Sequence, residues 1–206
     1  MTVYTRQAPA HNTKTLDVEL DNIETKFAEL DVSITAIEAV VGGNGTAETG
    51  VIAVESGVGN SRVTTLTFTA LALLDAADNA DLAVGKLLYT LPAGAQIIRG
   101  AYFSIGITID DATQTDTPDV GLGTTIATGA VATLDGTAAF ENIITGQTFS
   151  SGVDGTAHTG LEAPDLLIDA AANKTVHLNV ADTWADTTTQ GLTATGTIVL
   201  EWLALV

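Results

Sequence analysis

The sequence predicts a mainly β protein, an antiparallel β-sandwich of jelly-roll type preceded by an N-terminal coiled-coil helix. Three observations carry this reading. Large apolar residues recur every three or four positions from Leu16 to Val41 and then stop. A glycine-rich break follows at Gly42-Gly43-Asn44-Gly45. Beyond it, short β-branched runs alternate with Gly, Asp and Thr turns, and helical periodicity is scarce. The expected divisions are an extended arm over 1–15, a helix over 16–41, a linker over 42–50 and a β-sandwich over 51–206.

The arm is polar, with Pro9, Ala10 and His11 at its middle, and reads as disordered or laid on a partner. Thr13 or Thr15 can cap the helix, and Asp17, Glu19 and Asp21 place negative charge near the positive end of its dipole. In the helix, Leu20, Phe27, Ile34 and Val41 occupy a positions, and Leu16, Ile23, Leu30 and Ile37 occupy d positions. These eight residues form the expected oligomerisation seam. The stripe is narrow and Asp17, Glu24, Asp31 and Glu38 line its e side, which favours packing on copies of itself over burial in a globular core. The alternative is one amphipathic helix lying across its own domain. Isoleucine at both core positions points to a parallel homotrimer, and the seam would make a rod on the order of 40 Å long. Charge helps little: Lys26 can pair with Asp31 of a neighbour, whereas Glu19 and Glu24 repel.

Gly50 to Asn60 is weakly apolar and interrupted by Gly57 and Gly59. Val63 to Thr69 is the first clear strand, Leu71 to Leu82 is open between a helical turn and a loop, and Lys86 to Leu91 is a strand closed by Pro92-Ala93-Gly94. In the long stretch Ala95 to Asp110, broken near Gly100, Phe103, Ile105, Ile107 and Ile109 share one face and Tyr102, Ser104, Gly106 and Thr108 the other. Val120 to Gly123, Ile126 to Leu134 and Phe140 to Phe149 follow, punctuated by the turns Asp135-Gly136-Thr137 and Asp154-Gly155-Thr156. Val176, Leu178 and Val180 alternate with His177 and Asn179 as a half-buried strand, and Thr195 to Val206 forms an apolar strand inside the sheet.

Composition narrows the function. Twenty-five acidic residues against seven Lys and Arg leave a net charge of −18, which repels phosphate backbones and anionic lipid and argues against nucleic-acid or membrane partners. No apolar run approaches membrane-spanning length and no secretion signal opens the chain, so synthesis in the cytoplasm is expected. There is no cysteine, hence no disulfide or thiolate chemistry. The three histidines, His11, His158 and His177, lie near no nucleophile elbow, and His177 reads as a solvent-facing strand residue. No HExxH, CxxC, P-loop or dinucleotide fingerprint is present, so no catalytic residue, metal ligand or cofactor is assigned and no enzyme is expected. The loop Asp110 to Asp119 carries four carboxylates that suit a hard cation such as Ca²⁺, but lacks the EF-hand spacing and reads as a solvated acidic loop. Trp184, between Asp182 and Asp186, is the candidate exposed aromatic, while Trp202 belongs to the core.

Four runs, Gly85-Lys86-Leu87-Leu88-Tyr89-Thr90-Leu91-Pro92-Ala93-Gly94-Ala95, Pro118-Asp119-Val120-Gly121-Leu122-Gly123-Thr124, Leu134-Asp135-Gly136-Thr137-Ala138 and Val176 to Trp184, are spread along the β-domain. In them the chain resembles structural proteins of tailed bacteriophages, particularly marine ones. The resemblance implies a virion component of the capsid decoration or head-fibre type, on the virion surface, with the major capsid protein or another virion protein as partner. The expected function is a non-enzymatic trimeric decoration (cement) or head-fibre protein held by its arm and helix; the alternative is a short tail fibre or spike that binds host-surface glycan.

Overall fold

The computed structural model describes residues 20–30, 44–76, 82–109, 116–136, 138–151, 154–159, 162–172, 174–183 and 190–205. The chain divides after Val40 into two units. Of the first, residues 20–30 form a helix, α1.

Among its described residues the second unit holds eleven strands: β1 (Thr46–Ala47), β2 (Val51–Val58), β3 (Ser61–Ala76), β4 (Ala83–Thr90), β5 (Ala95–Ile109), β6 (Asp119–Gly123), β7 (Ile144–Thr148), β8 (Thr156–His158), β9 (Leu166–Ile168), β10 (Thr175–Ala181) and β11 (Gln190–Leu205). They make two antiparallel sheets. A five-stranded sheet has the order β1-β4-β10-β6-β7, and a six-stranded sheet has the order β2-β3-β11-β5-β8, with β9 also paired to β5.

Alternation of apolar and polar residues puts one side of each sheet into a shared core. Leu66 and Phe68 of β3, Phe103, Ile105 and Ile107 of β5, and Ile198, Leu200 and Trp202 of β11 meet Leu88 of β4, Leu122 of β6 and Leu178 of β10 in one buried cluster. Trp202 lies in that core as the sequence implies, its indole N–H donating to Thr64 Oγ1 at 2.9 Å. The expected division of β5 also holds: Phe103, Ile105, Ile107 and Ile109 are buried, while Tyr102, Ser104 and Thr108 are exposed. The break near Gly100 is a bulge, because Glu201 pairs with Gly100 and Trp202 with Ile98, leaving Arg99 as an extra residue.

Several elements differ from the sequence reading. Val51 to Val58 is a full strand, since Gly57 stays in register opposite Arg62 and Gly59 (φ +60°) opens the tight turn into β3, as a type II′ hairpin requires. Within the span read as linker, Thr46 and Ala47 pair with Thr90 and Tyr89. Leu71 to Ala76 continues β3 beyond a bulge at Ala70, whose φ is +48° and whose N–H is held by Thr195 Oγ1 at 2.9 Å. Ile126 to Leu134 forms no strand; it belongs to an excursion between β6 and β7 whose backbone bonds go elsewhere.

Candidate functional site

Of the eight seam residues, Leu20, Ile23, Phe27 and Leu30 lie on α1; Leu16, Ile34, Ile37 and Val41 fall outside the described residues. The four on α1 share a stripe at helical spacing and are 52–67% exposed. Leaving so much apolar surface in water is unfavourable by about 25 cal/mol per Å². Lys26 makes its ion pair within the helix, to Glu29 at 2.5 Å. This i,i+3 pair competes with the anticipated bridge to Asp31 of a neighbour.

The two sheets treat their outer faces oppositely. Over the five-stranded sheet the 124–143 excursion lies directly on the strands, and a second small apolar cluster forms there from Ala83, Ala181, Ala127 and Leu134, with Val131 and Phe140 against it. Its anchor is Asn179 on β10. The side-chain oxygen accepts from Ala127 N at 2.9 Å, and the amide nitrogen donates to Thr125 O at 3.1 Å and Phe140 O at 2.6 Å, so one buried amide grips both ends of the excursion. Its register neighbours are Gly85 and Gly121, while His177 sits beside Gly123. A Cβ at Gly123 would come within 2.1 Å of the Phe140 carbonyl carbon and one at Gly85 within 2.3 Å of Asn179 Oδ1, so the bare strands form the bed for the excursion. Thr124 and Asn142 close its neck through Thr124 N to Asn142 Oδ1 at 3.0 Å and Asn142 Nδ2 to Thr124 Oγ1 at 3.1 Å.

This cover overturns the reading of His177 as solvent-facing. The residue is only 6% exposed, because β10 is central in its sheet and its outward side chains lie beneath the excursion. Burial lowers its pKa, and its Nδ1 has no hydrogen-bond partner among the described residues. The signal that marked this face was the glycine row Gly85, Gly121 and Gly123 flanking Asn179, visible in sequence only once the register is known.

Among the described residues of the β unit, no such segment covers the outer rows of the six-stranded sheet. Val54, Thr65, Val199 and Tyr102 lie side by side across β2, β3, β11 and β5, and Ile52, Thr67, Thr197 and Ser104 form the next row, ending at His158. Ser104 Oγ and His158 Nδ1 are 2.9 Å apart in an exposed cross-strand pair. Among the described residues no carboxylate is hydrogen-bonded to that imidazole, so the pair lacks the orienting acid of a hydrolytic triad.

Just beyond β10, Asp182 is half-buried, and its Oδ2 has no hydrogen-bond partner among the described residues. Burial raises its pKa most; the bond from Thr183 N at 2.6 Å opposes this, and Asp116 and Asp119 raise it further. Most of the acidic loop from Asp110 to Asp119 and the candidate aromatic Trp184 lie outside the described residues. Among the described residues no group of three or more His, Asp or Glu side chains is placed to hold a metal ion, and no helix is long and apolar enough to cross a membrane.

No family model and no curated protein matches the chain. Among solved structures, a chain of the cyanophage Pam1 capsid asymmetric unit aligns over 75% of this chain and 93% of its own length, with a TM-score of 0.30 and 14% identity. At that distance the case for fold and function rests on this chain's own residues.

Proposed function

We propose that this chain is a non-enzymatic structural protein of a tailed-phage virion, a capsid decoration (cement) or head-fibre protein that assembles as a homotrimer. The single observation that carries the reading is the exposed stripe Leu20, Ile23, Phe27 and Leu30, half of an unbroken heptad whose chemistry is association. Copies joined along Leu16 to Val41 present three β units, and the arm with the helix attaches them to the major capsid protein or a neighbouring virion protein. A trimer suits the threefold positions of an icosahedral shell.

The strand order supports the same class. Taking β3, β4, β5, β6, β7, β8, β10 and β11 as eight successive strands, the orders β3-β11-β5-β8 and β4-β10-β6-β7 are those of a jelly roll, an architecture of viral capsid and lectin domains. The lectin use of that architecture keeps a second reading, a short tail fibre or spike that binds host-surface glycan. A net charge of −18 suits an outward, soluble surface.

Sedimentation of the full chain and of an Ile23→Asp/Phe27→Asp variant tests the assembly. The expected result is trimer for the first and monomer for the second; a monomeric parent chain overturns the reading. Imaging of virions lacking this protein tests the location, with loss of external head density expected. Unaltered heads together with lost adsorption to host polysaccharide would transfer the assignment to the spike.

A further inference from the structure

We infer that the outer face of the six-stranded sheet is a second contact between copies of this chain, packing β unit against β unit; the inference rests on the trimer reading above. In the β unit, the large apolar side chains left exposed among the described residues are Ile52, Val54, Val58, Tyr102, Ile126, Leu167 and Leu205. All but Ile126 belong to strands of this one sheet, and Ile126 lies against Gly85 on the other. Ile52, Val54 and Val58 are 67%, 62% and 89% exposed on β2, which is also the sheet's edge strand. Exposed apolar edges are ordinarily guarded by an outward Lys or Pro. Here β2 has neither, and its one acid, Glu55, is turned aside to bind Tyr89 Oη and Gly45 N.

Charge identifies the occupant. Among the described residues, the outward rows of β2, β3, β11 and β5 carry chiefly methyl and hydroxyl groups, and their charges are Glu201 and Arg99, which border the same hollow with Ser61 and Trp202, Arg99 also lying 4.0 Å from Asp165 beside β9. This is a neutral face on a chain of net charge −18. Two copies repel at acidic surfaces but meet with little charge repulsion here, where Arg99 offsets Asp165 and Glu201. Copies already tethered through their helices share a high effective concentration, so a modest apolar face suffices to dock them.

The chain has no cysteine, so an introduced thiol is its sole one. Full-length V54C and T128C are compared, the latter an exposed residue of the excursion, by their labelling rate with a maleimide-polyethylene glycol at a concentration where sedimentation gives the oligomer. Expected is a V54C thiol that reacts roughly tenfold or more slowly than the T128C thiol, with equal rates in denaturant. A trimer in which both thiols react alike overturns this contact and leaves the helical assembly standing. A monomer overturns the helical assembly, and with it this contact, including the case where V54C stays protected because the chain's own helix covers the face.

Discussion

The five-stranded and six-stranded sheets share a core but face outward in opposite ways. The first carries Gly85, Gly121, Gly123 and Asn179 where side chains would otherwise stand, and the 124–143 excursion fills the space they leave. The second carries Ile52, Val54, Thr65, Thr67 and Tyr102, and among the described residues of the β unit no such segment lies over them. One sheet is completed within the chain and the other is suited to completion by something else. Residues beneath the excursion are therefore expected to govern folding, and residues on the other sheet's outer face the proposed association.

The contrast breaks most severely at Gly123. Gly123→Ala drives a methyl into the backbone of Phe140 and Ala139, which cannot rotate away, and is expected to cost about 2–3 kcal/mol in denaturant unfolding. A variant as stable as the parent would mean that the excursion does not rest on β6. Asn179→Ala follows closely, at about 2 kcal/mol, because the N–H of Ala127 and the carbonyls of Thr125 and Phe140 lose their partner together. Amide exchange should then rise first at Ala127, and exchange confined to other segments would count against the anchor.

His177 sharpens the comparison through pH. Burial depresses its folded pKa below the ordinary value of about 6.5, so the unfolded chain takes up the proton first. The stability of the neutral imidazole is whole above that value and is lost as pH falls from it towards the folded pKa. The slope from this one group is at most about 1.4 kcal/mol per pH unit. His177→Gln should flatten the decline between pH 7 and pH 5, and an unchanged decline would place its source in other groups. The smallest effect belongs to the bare face: Val54→Thr should shift the unfolding free energy of the dissociated chain by no more than about 0.5 kcal/mol. A larger loss would mean that Val54 is part of the folding core.

The inward side of each sheet was legible because alternation alone dictates it: β5 and β11 read correctly from Phe103 to Ile109 and from Ile198 to Trp202. The outward side was not, because its fate depends on distant chain. His177 and Asn179 look like solvent residues until Ile126 to Phe140 is laid over them, and only the strand register reveals the glycines that make room. β2 was obscured because Gly57 and Gly59 read as interruptions, although one is tolerated in the strand and the other makes the turn. In the helix, the apolar stripe was legible at once, since the heptad is local.

The position of β11 has a consequence for synthesis. It lies between β3 and β5 yet begins more than a hundred residues after β3 starts, so the six-stranded sheet has no middle until Gln190 to Leu205 has been made. A product that stops short of it leaves β3 and β5 each with an open edge and half a core, and such a chain is open to degradation. Ribosomal errors that truncate the chain therefore leave products in which this sheet cannot close.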